Sequence, residues 1–174
     1  MSGIITIDVG AYEDNFIEFG LKKSITYGSN RNTMDDVILI VDDAPLIRQL
    51  VKILLTDEGY FIIEAESVHT ALTMLSGTTP RMVITDINMP GSNGVELISH
   101  IRANNTMLPI LVLSSDVRKT LQDECRIAGA TAMMDKLHII DYLCDTVNVL
   151  LKQNNTRTHD NRFPESPRYI FLNR

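Results

Sequence analysis

Long apolar runs are missing from this 174-residue sequence, which excludes a membrane-spanning helix, since one needs about 20 consecutive apolar residues. The runs that exist, such as residues 38–41 and 110–113, suit buried strands. The N-terminus has no basic stretch leading into an apolar block, so nothing there reads as a secretory signal. Cysteine is scarce: Cys125 and Cys144 stand alone in helical patterns, as packing residues of a protein in a reducing cytoplasm. The four histidines, His69 and His138 among them, lack the spacing of metal ligands. Basic runs are missing as well. The net charge is −6, and residues 36–152 hold 15 acidic side chains against 9 basic ones. Such an acidic core speaks against direct DNA binding, which needs a basic face to neutralise phosphates. What is present is an ordinary 44% of apolar residues, enough for one buried core with extensions.

Within residues 36–152, short apolar runs alternate with segments of helical period. Residues 36–41 form a β-branched and leucine run ending in Asp42 and Asp43. Leu46, Ile47, Leu50, Ile53 and Leu54 follow at helical spacing, and Gly59 stops them. Residues 60–63 read as a second strand, and Ser67 can cap a helix carrying Val68, Ala71, Leu72 and Leu75. Residues 82–85 form a third strand ending at Asp86, before a loop of Pro and Gly and a helix through Val95, Leu97, Ile98 and Ile101. Pro109 opens a fourth strand ending in Ser114 and Ser115. Residues 117–128 read as a helix with Leu121, Cys125 and Ile127 inward, ended by Gly129. A short fifth strand ends at Lys136, and residues 139–151 form a last helix with Ile140, Tyr142, Leu143, Val147 and Leu150 as its apolar stripe.

Five strands alternating with five helices imply right-handed crossovers and a parallel sheet covered on both faces, a three-layer (βα)5 doubly wound α/β fold. Its usual strand order is 2-1-3-4-5. Three segments follow: an N-terminal extension over residues 1–35, an added element or arm with an alternating stretch at 4–9; the α/β domain over 36–152; and a C-terminal tail over 153–174, flexible or docking, that ends in Tyr169, Ile170, Phe171 and Leu172.

In an open parallel sheet, ligands bind beyond the carboxyl ends of the strands. There stand Asp42 and Asp43 after the first strand, Asp86 after the third, Ser114 after the fourth and Lys136 after the fifth. Carboxylates from neighbouring strands repel unless a proton or a cation holds them together. Oxygen ligands without His or Cys favour Mg²⁺, and a carboxylate beside such an ion can attack a phosphoryl group. Lys136 supplies an opposing charge and Ser114 a hydrogen bond to a phosphoryl oxygen. Singly, each residue has a plain structural reading. Asp42 and Asp43 could cap a helix that begins at Pro45, Asp86 could be a turn residue, Ser114 and Lys136 strand ends, and Arg48 a solvent-facing or ion-pairing helix residue.

Together these residues resemble the response-regulator receiver family of two-component signalling. The resemblance is carried by Val41-Asp42-Asp43 with Arg48 five positions on, Asp86-Ile87-Asn88-Met89-Pro90 with Gly94 eight after Asp86, Ser114-Ser115, and Gly129-Ala130 before Lys136. It implies a flavodoxin-like fold, Asp86 as phosphoacceptor, and Mg²⁺ held by Asp42, Asp43, Asp86 and the backbone carbonyl of Asn88. Ser114 and Lys136 would sense the phosphoryl group. The implied donor is a histidine kinase or a phosphotransfer protein, and the implied chemistry is self-phosphorylation and self-dephosphorylation rather than turnover of a separate substrate. Two positions depart from the pattern: Leu137 follows Lys136 where the family has proline, and Met133 stands where it often has a switching aromatic. With no room for a helix–turn–helix domain in the tail, the expectation is a stand-alone cytoplasmic receiver acting by protein contact or phosphorelay on a downstream protein, with homodimer formation left open. The alternatives are a non-switching scaffold or the receiver portion of a longer regulator.

Overall fold

The computed structural model describes residues 37–155 and 169–171; the expected N-terminal element lies outside the described residues. The elements run β1 (Val37–Val41), α1 (Pro45–Asp57), β2 (Phe61–Ala65), α2 (Val68–Gly77), β3 (Met82–Thr85), α3 (Gly94–Asn104), β4 (Ile110–Ser114), α4 (Lys119–Ala128), β5 (Ala132–Asp135), α5 (Ile139–Asn155) and β6 (Tyr169–Phe171). A two-rung hairpin between β3 and α3 pairs Asn88 with Asn93 and Met89 with Ser92.

Strand order is β2-β1-β3-β4-β5-β6, with parallel pairing through β5 and antiparallel pairing for β6. The parallel part is the doubly wound sheet with order 2-1-3-4-5 that the alternation implies. Successive strand residues face opposite ways, which divides the core into two layers. Leu39, Val41, Val83, Val112 and Met133 pack under Ala71, Leu97, Ile98, Ile101, Leu121 and Cys125 of α2, α3 and α4. Ile38, Ile40, Ile84, Leu111, Leu113 and Met134 pack under Val51, Leu55, Leu143, Val147 and Leu150 of α1 and α5.

Local sequence explains the helix ends. Pro45 sits in the first turn of α1, where its missing N–H costs nothing. The Ser67 hydroxyl accepts from the Thr70 N–H at 3.2 Å, and the Asn93 side chain accepts from the Val95 N–H at 2.9 Å, each satisfying an orphan donor. Gly129 ends α4 with φ +103°, the left-handed region that only glycine enters freely.

Two sequence expectations need correction. Ile127, expected inward, is 78% exposed, because it stands six residues beyond Leu121, about 240° around a helix of 3.6 residues per turn. Ile140 is 71% exposed for a similar reason: the buried α5 face follows Ile139, Leu143, Val147 and Leu150 at helical spacing. Of the C-terminal tail, expected to be flexible or docking, residues 153–155 continue α5 to Asn155, and Tyr169–Phe171 returns as a sixth strand. Its β-favouring residues pair with free backbone groups on the edge of β5, a partner no local pattern displays.

Candidate functional site

Parallel register sets the site. Val41 of β1 pairs with Thr85 of β3, so the next residues, Asp42 and Asp86, leave neighbouring strands at the same level. The Asp86 N–H donates to the Val41 carbonyl at 2.8 Å, and the Asp42 N–H to the Ala65 carbonyl at 3.2 Å. Both residues are buried, at 2% and 6% exposure, whereas Asp43 is exposed. One oxygen from each of Asp42, Asp43 and Asp86 lies within 4.8 Å of the others.

The two buried acids are held alike. The Oδ1 of Asp42 accepts from the Ala44 N–H at 2.9 Å, and the Oδ1 of Asp86 from the Ile87 N–H at 2.7 Å. Their Oδ2 atoms face the Lys136 ammonium at 2.7 Å and 2.9 Å. Asp42 Oδ2 takes no other donor among the described residues. Burial pulls the pKa of Lys136 down, but its hydrogen bonds and charge attraction to Asp42 and Asp86 outweigh this and hold it above the ordinary value. A buried carboxylate oxygen with no neutral donor, beside two more carboxylates, is the donor set a hard divalent cation takes. The chemistry of these residues therefore fits Mg²⁺, with Lys136 as the balancing charge.

The other expected residues surround this cluster. Ser114 is fully buried at the end of β4, its Oγ accepting from the Asp116 N–H at 3.1 Å; no hydrogen bond joins it to the acids among the described residues. Asn88 lies in the hairpin and, with Asp43, Ile87, Met89, Pro90, Leu121 and Glu124, lines an open cleft of about 550 Å³ beside the acids. Leu137 does not force an unusual peptide geometry. The Lys136–Leu137 bond is trans, residues Lys136–His138 form a 3₁₀ turn, and the Leu137 N–H donates to Asp135 Oδ1 at 2.9 Å. Leu137 itself is 84% exposed, and Met133 is fully buried. Cys125 is a packing residue as expected, its thiol pushed up to about 11 by burial, with the charge of Glu124 adding to the shift.

Arg48 was expected to be a solvent-facing or ion-pairing helix residue, and it pairs with Glu64 at 3.7 Å. It does more than that. Its Nη1 donates to the carbonyl of Asp42 at 2.7 Å and to that of Asp43 at 3.2 Å, fixing the turn that carries both acids, while Lys52 holds Glu64 at 2.6 Å. The signal in the sequence was the interval of five residues after Asp43, which brings a side chain on the first turns of α1 back over the strand end.

Gly94 makes the closest backbone approach. A Cβ there would collide with the Asp86 carbonyl oxygen and stand 2.8 Å from the Ile87 Cα, while the Gly94 N–H donates to the Ile87 carbonyl at 3.0 Å. Gly94→Ala is expected to destabilise the protein by about 3 kcal/mol, the upper range for overpacking, because backbone rather than a mobile side chain must yield. A urea midpoint within error of wild type would show that the Asp86 loop has slack which this packing denies.

The family described as response regulator receiver domain matches residues 38–148. The chain is 31% identical over 119 residues to the transcriptional regulatory protein PhoP of Escherichia coli strain K12, covering 67% of this chain and 52% of that protein. It thus spans about half the length of that regulator. It is 31% identical over 121 residues to the chemotaxis protein CheY of Pseudomonas aeruginosa, covering 68% of this chain and 98% of that one. Among solved structures, the response regulator protein TrrA of Thermotoga maritima, in complex with Mg²⁺ and BeF, superposes with a TM-score of 0.61 at 35% identity, over 66% of this chain and 98% of that chain.

Proposed function

Since the chain belongs to the response regulator receiver family, we propose that it accepts a phosphoryl group on Asp86 and passes the signal on by protein contact. The observation that supports this most is the cluster itself: Asp86 Oδ2 and Asp42 Oδ2 face one ammonium at 2.9 Å and 2.7 Å, with Asp43 beside them. Asp86 has one oxygen engaged by a backbone N–H and one turned to Lys136, so the second is placed to act as nucleophile.

In the proposed step, Asp86 Oδ2 attacks phosphorus of a phosphohistidine on a kinase or phosphotransfer protein. A carboxyl O–P bond forms, the P–N bond breaks, and the imidazole leaves with the electron pair and takes up a proton. Reversal of the signal is attack of water on the same phosphorus, which returns the carboxylate and releases phosphate. Lys136, already at Asp86, neutralises a phosphoryl oxygen; Ser114, at the end of the adjacent strand, can donate its hydroxyl to another. Asp42, Asp43, Asp86 and the Asn88 carbonyl would hold Mg²⁺, which would supply further charge neutralisation. Receiver domains in general signal rather than turn over a separate substrate, and nothing in this cluster needs one. None of the described helices is long and apolar enough to cross a membrane.

Acetyl phosphate tests the reading without any knowledge of the kinase. With Mg²⁺ the intact protein is expected to gain one base-labile phosphoryl group per chain, and with EDTA none. A protein that stays unlabelled in Mg²⁺ would remove phosphoacceptance from this chain.

A further inference from the structure

We propose that the outer edge of β5 is a strand-accepting surface for an extended, uncharged aliphatic–aromatic peptide. This chain's own Tyr169–Phe171 fills the edge until a partner segment of that chemistry displaces it. The proposal goes beyond phosphoacceptance and stands whether or not Asp86 is phosphorylated.

The two edges of the parallel sheet are treated differently. β2 ends one side; it is only partly buried and carries Glu64, paired with Lys52 at 2.6 Å and with Arg48 at 3.7 Å. A charge on an edge strand discourages another strand from adding to it. β5 ends the other side, and its first three residues, Ala132, Met133 and Met134, are buried and uncharged. It has no proline, bulge or charge along that stretch to refuse a partner. An edge of this kind presents a row of N–H and C=O groups that template pairing. Here the chain supplies the partner: Ala132 pairs with Phe171, Met133 with Ile170 and Met134 with Tyr169, antiparallel.

The occupant is built to come off. It is three residues long, and 13 residues separate it from the end of α5 at Asn155. A strand of that length makes only a few ladder bonds to β5. Pro167, two positions before Tyr169, has no N–H and cannot extend the ladder in that direction. A short edge strand is the part of a sheet that opens at low free energy, and strand addition to a free sheet edge is an established mode of peptide recognition, in which the main chain supplies affinity. The occupying sequence defines the chemistry: a Tyr-Ile-Phe core, uncharged across the three paired positions. The surface belongs to the strand that runs through Asp135 directly into Lys136, so a partner held there lies on the element that ends at the acid cluster.

The test uses the full chain. Ile170→Pro removes an N–H from the middle of the added strand and leaves the parallel sheet untouched; Ile170→Asp is the second variant, placing a charge there instead. The probe is a labelled peptide of residues 166–174. It is expected to bind both variants at least tenfold more tightly than wild type, whose edge is already filled. The outward-facing amides of Ala132–Met134 are expected to exchange hydrogen at least tenfold faster in both variants. Equal binding to all three proteins, no binding to either variant, or unchanged exchange would overturn the proposal. A concentration-dependent wild-type dimer that Ile170→Pro turns into a monomer would overturn it too, by assigning the edge to the tail of a second copy.

Discussion

Asp86→Asn is expected to leave the protein folded and unable to take phosphate from acetyl phosphate. The fold survives because the amide oxygen of Asn can still accept from the Ile87 N–H, now 2.7 Å from Asp86 Oδ1, and because Lys136 keeps its ion pair with Asp42 at 2.7 Å. The melting midpoint should therefore move by no more than the equivalent of about 1 kcal/mol. Labelling is lost outright, since an amide nitrogen in place of Oδ2 is no nucleophile for phosphorus. Removing one of three carboxylates should also weaken Mg²⁺ binding about tenfold, ~1.4 kcal/mol. The variant discriminates between the acids. Asp42 has the same arrangement as Asp86, one oxygen on a following N–H and one on Lys136, but lies at 2% exposure against 6%, and Asp43 is exposed. Full labelling of Asp86→Asn together with loss in Asp43→Asn would move the acceptor to the exposed acid.

The acid cluster was legible in the sequence because its construction is local. Each member directly follows a strand, and a strand buried on both faces shows itself as an apolar run. Register then brings Asp42 and Asp86 together, as the 2-1-3-4-5 order requires. Lys136 could be placed for the same reason. The features that escaped are those decided across the fold. Arg48 contacts the site through the carbonyls of Asp42 and Asp43, and a helical wheel marks it only as a polar residue. Ile127 and Ile140 are apolar and exposed, so apolar count suggested an interior that helical spacing refuses. β6 depends on a free edge more than 30 residues away in the chain; Tyr169–Phe171 has strand propensity, and propensity alone gives no partner. At Leu137, where the family pattern has proline, the Asp135 side chain accepts from its N–H within a trans turn, a partner that the departure from the pattern does not reveal.

Lys136→Ala should produce a large loss of stability at the site, and the loss should depend on metal. Lys136 is 13% exposed at its side chain and touches both buried acids. Removing it leaves Asp42 Oδ2 without a donor and sets two carboxylates against each other with no cation between them. Breaking a buried pair by deleting one partner costs about 3 kcal/mol at the lower end of the usual range, and partial exposure of the lysine places this case at that end. The sign with pH is fixed by the raised pKa of Lys136: its contribution is fully present at neutral pH and below, and in wild type it is lost only as pH climbs past its ordinary 10.5 and through the higher folded value. The measurement at pH 7 therefore sees the whole effect. Mg²⁺ should offset the loss, because a divalent cation restores the balancing charge and no ammonium remains to oppose its entry. Thermal melts in EDTA and in millimolar Mg²⁺ are expected to show a clearly larger Mg²⁺-induced gain for Lys136→Ala than for wild type, while acetyl phosphate labelling falls. An equal gain in both proteins would mean that the lysine and the metal do not share the work of balancing Asp42 and Asp86. The cluster would then be held together by its backbone hydrogen bonds to Ala44 and Ile87 instead.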